Sequence, residues 1–215
     1  MRKKTEVRRM SFVKAAGKLF IDQGFGVVTM EAIAAEAAAS KVTLYSYFKS
    51  KEDLFEAFVN EAGKGKFEEL EAAKDEPDLR LSLYRLGIAY LSLVTRPDII
   101  AMTRLIIGEA ARQPELCRIF YENGARRTLQ SLGVVMQILI ARGLLRQADP
   151  YQTGLYFKSL CEAGLLERQL WGLDQVPDVQ TLHTTVAGAI DVFLPAYAPS
   201  TPPDSWAKSE PAQPR

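Results

Sequence analysis

Histidine is nearly absent from this chain: His183 is the only one in 215 residues. A single imidazole excludes a His-rich metal centre and any acid/base scheme that needs two histidines. Cysteine is scarce too. Cys117 and Cys161 lie far apart in sequence, and free thiols in a reducing compartment are the expectation over a disulfide. No G-x-S-x-G, P-loop, dinucleotide fingerprint or CxxC occurs, so nothing is arranged for turnover, and no cofactor or metal is expected. The longest uncharged apolar run, Leu132 to Ala141, contains Gln137 and is too short to span a bilayer. The opening MRKKTEVRRM lacks an apolar stretch ahead of a cleavage site, so a cytoplasmic protein is expected. Sustained period-2 alternation and Asn-Gly hairpin turns are missing as well, which leaves an all-α fold.

What is present is an uneven charge. Residues 1–51 hold ten Lys/Arg against four acids, whereas the rest holds 17 basic and 22 acidic residues. A basic head on an acidic body suits a protein that meets nucleic acid with one end only. Hydrophobic residues make up 47% of the chain and charged ones 25%, enough for a real core under a soluble surface.

Apolar spacing and breakers predict the helices. Phe12, Ala16, Leu19 and Phe20 form one stripe of a first helix over 5–23, closed by Gly24. A fourth helix is expected from Lys51 to about Lys74, capped by Ser50, with Gly63 and Gly65 inside it marking a bend or a close helix approach. Pro77 opens a fifth helix to Val94, and Asp98 caps a sixth to Arg112. A long helix from Pro114 to Arg142, one from Pro150 to Trp171 and a last one from Asp178 to Phe193 complete the body. Residues 198–215 are rich in Pro, Ser and Ala and read as a disordered tail, with Trp206 its one large aromatic.

Between these lies Thr29 to Lys51, two short helices joined by a tight turn and followed by a basic tail. Thr29 and Ser40 are N-cap candidates. Leu44, Tyr47 and Phe48 pack inward, while Lys41, Thr43, Tyr45 and Ser46 face outward, a surface chemically suited to a DNA major groove. Phe12, Leu19, Phe20, Ile33, Leu44 and Phe48 make the shared core of a three-helix head too small to be secure alone.

The run from Phe25 through TMEAIA, SKVTLYSYF and Ser50-Lys51-Glu52 to Leu54 resembles the helix-turn-helix signature of the tetracycline-repressor (TetR) family. The resemblance implies DNA contacts for Thr29, Ser40, Lys41, Thr43, Tyr45, Ser46, Tyr47, Lys49 and Lys51, with Arg2, Lys3 and Lys4 trailing toward the minor groove. Two positions depart from the family pattern, which usually has Gly at Ala38 and often Gly at Val42. A left-handed Ala38 costs on the order of 1–2 kcal/mol. Val42 puts a branched apolar group near the groove, within reach of a thymine methyl.

The stretch RLIIGEAARQPEL from Arg104, then Phe120-Tyr121, Gly143-Leu144-Leu145 and Asp149-Pro150, is similar to the carboxy-terminal domain of an AcrR-like branch of the TetR/AcrR family. That similarity implies a helical-bundle regulatory and dimerisation domain over 51–197 behind a helix-turn-helix head at 1–50. It implies a homodimer through the last two long helices, a small, largely apolar effector, and a pseudo-palindromic operator in double-stranded DNA. Apolar residues on more than one face of those helices, Leu155, Leu160, Ala163, Leu166 and Leu170 with Val186, Ala189, Ile190 and Phe193, argue for the same partner surface. Candidate effector contacts are Tyr84, Tyr90, Met102, Arg104, Ile106, Glu109, Tyr121, Phe157, Cys161 and Trp171, each of which also fits plain core. The expected function is a dimeric, ligand-released transcriptional repressor. The alternative is an all-α ligand-binding or enzymatic bundle with no specific DNA target, and salt-dependent DNA binding separates the two.

Overall fold

A side chain that caps the first free amide groups opens half of the twelve α-helices among the described residues. The structure, a computed structural model, describes residues 2–199, with side chains from residue 5 onward. The side chains of Arg2, Lys3 and Lys4, and the tail from residue 200 with Trp206, lie outside the described residues. Helix α1 spans Arg2–Gln23, α2 Met30–Glu36, α3 Lys41–Tyr45 and α4 Lys51–Gly63. Thr29, Ser40 and Ser50 each accept from the amide three residues on, all at 3.1 Å, and each such cap stabilises by about 1 kcal/mol. Asp53 accepts in return from the amide of Lys49 at 3.0 Å, one residue ahead of the cap.

The expected fourth helix is in fact two. Lys64 turns extended and Gly65 takes φ +73°, a conformation that costs glycine little; α5 then covers Lys66–Glu71 and ends in a 3-10 turn, Ala72–Asp75. The fifth, α6, is capped by Asp78 rather than opened by Pro77 and spans Leu79–Val94. Helix α7, Pro97–Glu109, starts one residue ahead of its expected cap: Asp98 lies in the first turn and pairs with the Arg96 guanidinium. The long helix is α8, Pro114–Phe120, one wide π-helical turn over Tyr121–Ala125, and α9, Arg126–Ala141. The helix from Pro150 also divides, into α10, Pro150–Glu162, and α11, Leu165–Leu170, where Gly164 takes a positive φ.

Helix α12, Val179–Tyr197, runs through Pro195 instead of stopping at Phe193. Proline in the last turn removes one backbone donor, a small loss near a helix end. Arg146 takes up the carbonyls there, its side chain donating to Ala196 at 2.8 Å and its amide to Tyr197 at 2.9 Å. Among the described residues there is no strand.

The described residues pack as two compact units, 2–64 with 96–127 and 65–95 with 128–199. In the first, the six expected core residues of the head are all buried, and α4, α7 and α8 extend that core with Leu54, Phe55, Met102, Ile106, Leu116 and Ile119. Phe20, Phe25 and Phe55 form an aromatic cluster with ring centroids 4.9 to 6.0 Å apart. A fifty-residue head gains the missing apolar surface from helices encoded much later. In the second unit α12 packs against α6 and α10, burying Val186, Ala189, Ile190 and Phe193. Arg142, just past α9, donates to the carbonyls of Lys74, Glu76 and Pro77 at 2.9 to 3.2 Å and so holds the loop before α6.

Candidate nucleic-acid interface

Helix α3 is only five residues long and owes its position to what anchors its inner side. Leu44 and Phe48 are buried, and the Tyr47 ring lies 5.6 Å from that of Phe12 on α1. The turn between α2 and α3 is closed by Ala39 donating to Ala34 at 2.9 Å and passes through Ala38 at φ +47°. A left-handed alanine costs on the order of 1–2 kcal/mol because its Cβ crowds the following carbonyl. Arg8 of α1 offsets this, its guanidinium donating to the Ala37 carbonyl at 3.3 Å and to that of Ala38 at 3.0 Å. Neither Arg8 nor Glu31 was legible as part of this surface from local pattern, because Arg8 meets the turn across thirty positions of sequence.

The nine expected contact residues stand in two states of exposure. Ser40, Lys41, Tyr45, Ser46, Lys49 and Thr29 are exposed, while Thr43, Tyr47 and Lys51 are half-buried. The Thr29 hydroxyl is engaged in its cap. Lys41 is ion-paired with Glu31, which holds that carboxyl below its ordinary value and the ammonium above its own. The Lys41 ammonium also lies 5.7 Å from the Tyr45 ring centre. Lys51 turns inward: its ammonium donates to the Phe25 carbonyl at 2.8 Å and sits 4.6 Å above that ring. It therefore braces the loop ahead of α2, and a phosphate has to share or displace that bond. Val42, at 81% exposure, is the most exposed large apolar side chain among the described residues, and Tyr45 follows one turn on at 43%.

The ten expected ligand contacts fall into two groups. Met102 and Ile106 belong to the core of the first unit, where Arg104 and Tyr121 are exposed and Glu109 is half-buried. In the second unit Tyr90, Phe157 and Cys161 are buried where α6, α10 and α12 pack. The Tyr90 hydroxyl donates to Glu162, which Lys158 also pairs at 2.6 Å; burial, then the Glu162 charge, keep the phenol well above its usual pKa. Burial likewise pushes the Cys161 thiol up to about 12. Phe157 meets Phe193 edge-on at 5.1 Å. Tyr84 lines an open cleft of about 330 Å³ with Glu69, Arg85, Ile88 and His183, the imidazole edge-on to its ring at 5.7 Å. Trp171 is largely exposed at the end of α11.

Residues 12–58 match the family profile described as bacterial regulatory proteins of the tetR family, and residues 82–199 match the AefR-like transcriptional repressor C-terminal domain. This chain belongs to the TetR family. Among solved structures, a TetR-family transcriptional regulator from Mesorhizobium loti superposes with a TM-score of 0.80 at 26% identity, over 90% of this chain and 98% of that one. The flavonoid-responsive regulator FrrA matches with a TM-score of 0.75 at 30% identity, over 91% of this chain and 100% of that one. A SmeT–triclosan complex shares the fold, with a TM-score of 0.67 at 20% identity over 92% and 98%. No curated protein matches. As a TetR-family member the chain is a DNA-binding transcriptional regulator, of a family whose members are not enzymes. No helix among the described residues is long and apolar enough to cross a membrane.

Proposed function

We propose that this chain is a homodimeric repressor that docks the outer face of α3 in the major groove of a pseudo-palindromic operator and is released by a small, largely apolar effector. The outer face of α3 carries this reading: an inner side fixed by Leu44 and Phe48 presents Val42, Tyr45, Lys41 and Ser46 to solvent on one surface. Lys49 beside it, and the amide groups opening α2 at Thr29, supply phosphate contacts, which position the helix without reading sequence. The dimer is supported by apolar side chains left exposed on the second unit's helices, Tyr151 and Tyr156 on α10 and Val179 and Val192 on α12.

The effector reading draws on the likeness to FrrA, whose name makes it flavonoid-responsive. A flat aromatic molecule with phenolic hydroxyls fits the open cleft at Tyr84, where Ile88 and Ala89 give apolar wall and Glu69, Arg85 and His183 offer polar partners. Release is a population shift: the effector must favour a state in which two α3 helices no longer match one turn of DNA. The chain passes from the first unit to the second at Lys64 and Gly65, where the helix is broken.

A footprint on DNA flanking the coding region tests the reading. Protection of an inverted repeat by the dimer, with affinity falling steeply as salt rises, is the expected result. An absence of any specific footprint returns the chain to the alternative of a helical bundle without a DNA target.

A further inference from the structure

Three hydroxyls stand along the outer side of α3, and much of their hydrogen-bonding capacity is committed within the chain. Ser40 Oγ accepts from the Thr43 amide at 3.1 Å and shares a proton with Thr43 Oγ1 at 2.8 Å. Ser46 Oγ donates to the Thr43 carbonyl at 2.6 Å. A hydroxyl has one proton to give, so Ser46 has spent its own, and one of the Ser40–Thr43 pair has spent its proton on the other. Lys41 is held by Glu31 and lies against Tyr45.

What projects furthest is apolar. Val42 is 81% exposed, and Tyr45, three residues on and hence beside it on the helix, is 43% exposed. Valine is stiff at χ1, so the isopropyl group has a defined shape before any DNA arrives. Leu44 and Phe48, both buried, fix the helix that carries it. In the major groove the apolar feature on a base-pair edge is the C5 methyl of thymine.

We propose that Val42 is a specificity-determining residue that reads a thymine methyl in each half-site, so that α3 recognises its operator by an apolar contact more than by its hydroxyls. This rests on the reading that α3 enters the major groove. Covering one methyl against the isopropyl group is worth about fourfold in affinity per half-site, and about sixteenfold for the pair.

The experiment first selects a binding site for the full-length protein from random duplex DNA. Deoxyuridine then replaces each thymine of the selected site in turn, removing the methyl and nothing else, and affinity is read by fluorescence anisotropy. For the unaltered protein one position per half-site is expected to lose about fourfold on this replacement. Val42→Gly and Val42→Ala, the second of which keeps a good helix former at this exposed position, are expected to bind thymine and uracil sites alike. Val42→Thr, which retains one methyl, should keep part of the difference. A selected site in which no thymine methyl matters, or an undiminished uracil penalty in both Val42→Gly and Val42→Ala, overturns the proposal and leaves the DNA-binding reading standing. Failure to select any site overturns both.

Discussion

On α3 and its flanks nearly every residue has a fixed partner: Ser40 with Thr43, Lys41 with Glu31, Tyr47 with Phe12, Lys51 with Phe25. Of the ten residues expected to line an effector site, five lie in one compact unit and five in the other. A recognition surface on a short helix is set by which side of that helix is anchored, and spacing along the chain reports this directly. A cavity is bounded by side chains that look like core at every level of local pattern. The comparison therefore separates a site written in consecutive residues from one that depends on how distant helices are packed.

The largest effect expected from this contrast concerns stability. Leu116 is far from the head in sequence yet buried in its core, whereas Leu83 is buried in the second unit. Leu116→Ala should destabilise by about 2–5 kcal/mol and accelerate amide hydrogen exchange in α1 and α4. Leu83→Ala, a deletion of the same size, should leave those amides protected relative to its own neighbours in α6. Equal loss of protection in α1 from both variants would mean that the two units do not open separately.

A smaller effect, of opposite sign, is expected at the turn. Ala38→Gly relieves a left-handed alanine and gives back some of the gain through the more flexible unfolded chain, for a net stabilisation of up to about 1 kcal/mol. Denaturant unfolding measures it. Arg8→Ala removes the two bonds that hold the same turn, so Ala38→Gly should recover more stability in that background than in the wild type.

The smallest effect is chemical. Burial raises the Cys161 thiol to about 12, so at pH 8 only about one thiol in ten thousand is thiolate. In the folded protein it should stay unmodified by a thiolate-seeking disulfide reagent at pH 8 and react on unfolding. The sign follows from the shift: a raised thiol pKa keeps the neutral form until pH approaches the folded value. Rapid labelling of native Cys161 would show that the α6–α10–α12 packing opens readily, and would make that region the better candidate for an entry route.

Much of the fold was legible because the helix starts are chemical events. Thr29, Ser40 and Ser50 cap as their residue types and positions predict, and Asp149 and Asp178 cap the helices expected to start beside them. The breaks within helices were harder. Apolar periodicity continues across Lys64-Gly65, Ala163-Gly164 and the π-helical turn at Tyr121–Ala125, and a glycine inside such a pattern is compatible with both a continuous and a broken helix. The course of α12 past Pro195 depends on Arg146, and the bracing of Ala38 depends on Arg8; both are tertiary contacts. For the site, the inner and outer sides of α3 followed from spacing alone. The internal pairing of its hydroxyls and the inward turn of Lys51 did not, since each requires the positions of atoms that spacing leaves free.

The outer face of α3 is proposed as the surface that meets DNA. Fluorescence anisotropy on the footprinted operator, at one fixed salt concentration, compares the wild type with Tyr45→Ala and with Trp171→Ala, two exposed aromatics at opposite ends of the comparison. Tyr45→Ala should weaken binding by about tenfold or more with helix content unchanged, and Trp171→Ala should leave effector-free binding as it was. A folded Tyr45→Ala protein that binds the operator as tightly as the wild type would contradict the account.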